Sequence, residues 1–128
     1  ERNLITTHFG DTCQFYTMGE GFTWETQDKE RDIEAAQAAW GKAKELIASG
    51  ELHMVLLDEI NIAMRYGYVD EAEVLAFLED SKPPMTHVVL TGRNASDTLI
   101  EAADLATEMT LLKHPFRSGI KAQIGVEF

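Results

Sequence analysis

His53-Met54-Val55-Leu56-Leu57-Asp58-Glu59 is a short apolar run that stops on two adjacent carboxylates. A few buried-type residues bounded by polar ones read as a central strand of a parallel sheet. In open α/β sheets, ligands bind outside the carboxyl ends of the strands, so Asp58 and Glu59 stand where a metal–nucleotide site is expected. An apolar strand ending in paired acids can hold Mg²⁺ or orient a reacting group. The phosphate loop that such a site works with, G-x-x-x-x-G-K-[ST], does not occur in the chain.

On either side of this strand the chain alternates between strand and helix signals. Thr12 to Thr17 is rich in β-formers and reads as a strand, followed by the glycine-flanked loop Met18 to Trp24. Residues 28–48 read as a helix, with Ile33, Ala36, Trp40, Ala43 and Ile47 on one face and Ser49-Gly50 ending it. After the 52–57 strand comes a loop through Tyr66-Gly67-Tyr68, whose tyrosines are expected at the core edge. Asp70 then caps a helix over 71–80, with Val74, Leu75 and Leu78 inward. Lys82-Pro83-Pro84 breaks the chain ahead of a strand from Thr86 to Thr91. Asn94 or Ser96 opens a helix over 96–103, and a fourth strand is expected at 105–112. This alternation implies an α/β domain over residues 1–128, with a mostly parallel sheet and helices on both faces.

Composition narrows the function. A length of 128 residues suffices for one domain with a sizeable core. The net charge of −11 argues against a nucleic-acid partner, whose phosphates require clustered Lys and Arg. A nucleotide remains compatible, because a few backbone N–H groups, one metal and one or two basic residues can hold it. The single Cys13 excludes an intrachain disulfide and suits a reducing, cytoplasmic compartment. His8, His53, His87 and His114 lack zinc-ligand spacing. No apolar run approaches ~18 residues, so no membrane span is expected. Glu1-Arg2-Asn3-Leu4 has no signal-peptide layout and no initiator Met, so the natural chain is expected to start upstream.

Several segments together resemble the ATP:corrinoid adenosyltransferases of cobalamin salvage. These are Gly21-Phe22-Thr23-Trp24-Glu25-Thr26-Gln27, the Val55 to Glu59 strand end, Thr91-Gly92-Arg93, Lys113-His114-Pro115-Phe116 and Gly119 to Gly125. The resemblance covers nearly the whole chain and implies a RecA-like P-loop NTPase fold. Family members carry a glycine-rich phosphate loop on a first strand ahead of these segments. The chain therefore reads as the C-terminal part of a longer adenosyltransferase domain, without a first unit of roughly 60 residues. Loss of a central strand is expected to alter the remaining fold locally or to leave it paired with another chain.

The resemblance implies transfer of the 5′-deoxyadenosyl group of ATP to the Co(I) of a corrinoid, with triphosphate released. Cobalt is then the nucleophile, and the protein contributes positioning and charge stabilisation. Glu59, as the closer contact, and Asp58 are expected to hold Mg²⁺ or Mn²⁺, and Arg93 to neutralise phosphate. Phe22 and Trp24 alternate in an extended segment and would form a flat apolar wall for the corrin ring. Such a wall displaces the lower axial ligand and eases access to Co(I). Thr91 and Gly92 are expected at the nucleotide, Gly92 permitting close backbone approach, together with Lys121 and Gln123. The expected partners are ATP, the corrinoid, a flavoprotein electron donor and a second copy in a homodimer. Two other readings use the same residues. One is a RecA-like ATPase in which Asp58-Glu59 polarises water. The other is an inactive fragment that binds only a corrinoid or a partner, which is the behaviour expected of these 128 residues in isolation.

Overall fold

The computed structural model describes residues 2–18 and 29–122. The elements follow the order α1 (Arg2–Phe9), α2 (Lys29–Ala48), β1 (Met54–Leu57), α3 (Ile60–Arg65), α4 (Glu71–Ser81), β2 (His87–Leu90) and α5 (Asp97–Ala102), then a 3-10 turn at Pro115–Ser118. β1 and β2 are parallel, with Met54, Val55, Leu56 and Leu57 opposite His87, Val88, Val89 and Leu90. This is a mixed α/β chain whose two described strands run as the sequence implies.

Strand alternation sorts the side chains to the two faces of the sheet. Val55 is 7% exposed, whereas its neighbours Met54 and Leu56 are 60% and 56% exposed. On the buried face lies one cluster built from Trp40 and Ala43 of α2, Ile60 and Met64 of α3, Val69, Val74 of α4 and Leu99 of α5. Leu57 and Leu90 pack against it. The described helices that contribute to this core thus cover one face, where both had been expected. α1 buries no residue.

The predicted periodicity of α2 holds, with Trp40, Ala43 and Ile47 buried. The indole Nε1–H of Trp40 donates to Glu73 Oε1 at 2.9 Å, which ties α2 to α4. Lys44 Nζ meets the same oxygen at 2.6 Å. α4 starts as expected, because Asp70 accepts a hydrogen bond from the Ala72 N–H at 3.1 Å. Of the two candidates for opening α5 it is Ser96 that does so, accepting from the Leu99 N–H at 3.0 Å.

Two predicted strands are corrected. Thr12 lies in a turn and residues 13–18 are irregular, and residues 105–114 carry no regular structure. Thr12 to Thr17 is rich in β-type side chains and 105–112 carries only Thr107 and Thr110 of that type, but a strand exists only through ladder hydrogen bonds, and among the described residues neither segment finds a partner. Two helices were not anticipated. α1 contains the β-branched Ile5, Thr6 and Thr7, which lower helix propensity. α3 has only six residues and no side-chain cap at its start. No helix among the described residues is long and apolar enough to cross a membrane.

Candidate functional site at the strand ends

The parallel register puts the residues after Leu57 beside those after Leu90. Asp58-Glu59 and Thr91-Gly92 therefore meet at the carboxyl edge of the sheet, as the strand-end reading requires. The Thr91 hydroxyl donates to Asp58 Oδ1 at 2.8 Å. The Thr91 hydroxyl oxygen in turn accepts from the backbone N–H of Glu59 at 2.9 Å. Thr91 also donates its own N–H to the Leu57 carbonyl and accepts from the Asn61 N–H, both at 3.2 Å.

Glu59 adopts left-handed backbone geometry at φ 59°, ψ 20°, immediately before α3. A non-glycine residue there is uncommon, and the conformation persists where surrounding bonds over-determine it. Gly92 has φ +132°, and a Cβ built on it would lie 2.9 Å from Asn61 Cβ and 3.4 Å from both Asn61 N and Glu59 Oε2. The close approach expected of Gly92 is thus made to the protein's own 59–61 turn. Asp58 and Glu59 are exposed at this edge. Beyond the Thr91 bond, their carboxylates make no other hydrogen bond or ion pair among the described residues.

Asn61 is the residue that sequence reasoning missed. It is 7% exposed, and its Oδ1 finds no partner among the described residues. Asn61 interrupts the apolar run Ile60 to Met64, and a polar residue at that point was the available signal. A cavity of about 190 Å³ opens beside it, lined also by Met64, Arg65, Glu71, Asn94 and Leu99. Glu71 accepts from the Ser96 hydroxyl at 2.6 Å on that wall.

The remaining site residues are placed less closely. Arg93 follows Gly92 and is exposed. Lys121 lies in the tail, where every described residue from Glu101 to Ala122 is exposed, so packing does not hold it against the acid pair. In that tail, His114 Nδ1 accepts from the Phe116 N–H at 3.1 Å and caps the 3-10 turn. Phe22, Trp24 and Gln123 lie outside the described residues. Tyr66 is exposed and Tyr68 half-buried, with ring centroids 5.6 Å apart. Among the described residues no group of three or more His, Cys, Asp and Glu converges into a metal cage.

A family model described as ATP:corrinoid adenosyltransferase BtuR/CobO/CobP matches residues 1–128. A corrinoid adenosyltransferase of a Sinorhizobium species is 71% identical over 128 residues, covering all of this chain and 60% of that protein. The Pseudomonas aeruginosa corrinoid adenosyltransferase is 53% identical over 120 residues, 94% of this chain and 59% of the relative. That of Escherichia coli is 39% identical over 128 residues, all of this chain and 63% of the relative. The chain therefore spans about 60% of the length of these curated relatives.

Proposed function

This chain belongs to the ATP:corrinoid adenosyltransferase family, and from that premise we propose that the protein carrying it transfers the 5′-deoxyadenosyl group of ATP to a Co(I) corrinoid. The cobalt lone pair forms the Co–C bond at C5′. The C5′–O bond breaks, and triphosphate leaves with its electrons. No proton transfer from the protein is required, so the work left to the chain is to orient ATP and to stabilise the departing charge.

The observation that carries this reading is the junction at the sheet edge, where Thr91 bonds both to the Asp58 carboxylate and to the Glu59 backbone. It gives two exposed acids with fixed backbones at the position where α/β folds bind ligands. The donor set fits Mg²⁺, which takes one or two carboxylates and completes its shell with water and phosphate oxygens. Glu59 and Asp58 would hold the ion, and the ion when bound supplies charge neutralisation to the triphosphate. Arg93, on the same edge, provides a guanidinium fork for phosphate oxygens, and Lys121 with Gln123 extends the nucleotide contacts. Phe22 and Trp24 form the apolar wall at the corrin ring. Family resemblance is the support for those last two assignments, as it is for a RecA-like arrangement of the whole sheet, a flavoprotein donor, a homodimer and a cytoplasmic setting.

Product analysis tests the reaction. The intact gene product, given ATP, Mg²⁺ and a chemically reduced corrinoid, should yield inorganic triphosphate and a Co–C bond visible in the corrinoid spectrum. ADP with inorganic phosphate and an unchanged corrinoid would refute it in favour of simple ATP hydrolysis.

A further inference from the structure

We propose that Thr91 is the positioning residue of this site: it fixes the two strand-end acids relative to each other. The inference rests on the reading of Asp58 and Glu59 given above. It begins from where the polar groups of Thr91 go. A threonine hydroxyl has one proton to donate and two lone pairs. The proton is committed to Asp58 Oδ1 and one lone pair to the Glu59 N–H. The backbone N–H and carbonyl are committed to Leu57 and Asn61. All four bonds therefore fall on the five residues 57–61, from a strand 33 positions further along the chain by the Thr91–Asp58 separation.

That pattern explains why Glu59 can stay in the left-handed region at φ 59°. Its own N–H is held by the Thr91 side chain and the N–H two residues later by the Thr91 carbonyl, so the turn is gripped on both sides. Gly92 lets this turn come close, with Glu59 Oε2 seated against it. As a result Asp58 presents one oxygen already oriented and one without a partner among the described residues, and Glu59 has its carboxylate projected by a fixed backbone. Acids held in this way need no reorganisation when a charged ligand arrives.

The test compares Thr91→Val, which keeps the shape and removes both side-chain bonds, with Thr91→Ser, which restores the hydroxyl. Both are made in the intact gene product. Removing a group that orients metal-binding carboxylates lowers metal affinity or activity by roughly 10–100-fold. For T91V we expect a loss of that size in kcat/KM for ATP and a rise in the Mg²⁺ concentration for half-maximal rate. T91S should recover most of the loss, with the corrinoid KM unchanged in both. Wild-type activity in T91V, or equal impairment in T91V and T91S, overturns the proposal. Hydrogen exchange in the wild-type protein keeps it falsifiable should T91V not fold: the Glu59 amide must be protected, and exchange at the free-peptide rate would overturn it. Asp58→Asn and Glu59→Gln separate the two levels. If both retain full transfer, the reading of the acids fails; if they lose it while T91V does not, only the role of Thr91 fails.

Discussion

Replacing Gly92 with alanine adds one methyl group at the most crowded point of the proposed site, and the cost can be divided into two parts. The first is conformational. At φ +132° an L side chain is strained whatever the space around it, which costs about 1–3 kcal/mol. The second is steric. The new Cβ would stand 2.9 Å from Asn61 Cβ, an atom fixed by a backbone whose N–H is bonded to the Thr91 carbonyl, so relief requires the turn itself to shift. Overpacking of this kind adds about 1–3 kcal/mol. Gly67 provides the control, because it also has positive φ, at +70°, but nothing within 4 Å of a built Cβ. Gly67→Ala should therefore show only the conformational part, about 1–2 kcal/mol. Urea unfolding of both variants measures the difference through the midpoint at constant slope. The expectation is that G92A is less stable than G67A by about 1–3 kcal/mol. If G92A costs no more than G67A, the packing of Gly92 against the 59–61 turn is wrong.

Ser96→Ala removes the side-chain acceptor for the Leu99 N–H, and should cost about 1 kcal/mol together with faster exchange of the Leu99 amide. A second expectation concerns acid stability. The Lys44 ammonium, and after it the Trp40 indole, holds the Glu73 carboxyl below its usual value of 4.5. A depressed folded-state pKa stabilises the fold above the unfolded value, and the contribution fades as pH falls below 4.5 through the lower folded value. Glu73→Gln lacks this contribution, so the urea midpoints of wild type and E73Q should differ at neutral pH and converge as the pH falls below 4.5. A gap that stays constant with pH would contradict that assignment.

What the sequence revealed followed from how local each signal is. The Val55 to Glu59 run announced both a strand and a pair of exposed acids at its carboxyl end, because burial and charge change within a few residues. The α2 stripe of Trp40, Ala43 and Ile47 is likewise a local periodicity, and it appears as buried residues. The strands expected at 12–17 and 105–112 failed for the opposite reason. Side-chain type marks a segment as fit for a sheet, but the ladder partner is supplied by distant residues. α3 was hidden because six residues carry too little period to detect, and because its first turn is entered through a left-handed Glu59 in place of a capping side chain. Within the site, Asp58, Glu59, Thr91 and Gly92 were recognisable as separate motifs. That one hydroxyl joins two of them is a property of the β1–β2 register, which no single segment contains. Asn61 had no motif of its own, and its importance lies in its burial.

The central claim is that Asp58 and Glu59 hold the metal-bound triphosphate of ATP. Calorimetric titration of ATP into the intact gene product, with and without Mg²⁺, compared with Glu59→Gln, tests it most directly. The account predicts Mg²⁺-dependent binding in the wild type that weakens at least roughly tenfold in E59Q, a difference of about 1.4 kcal/mol, while Mg²⁺-free binding is unchanged. Equal Mg²⁺-dependent affinity in the two proteins would contradict it.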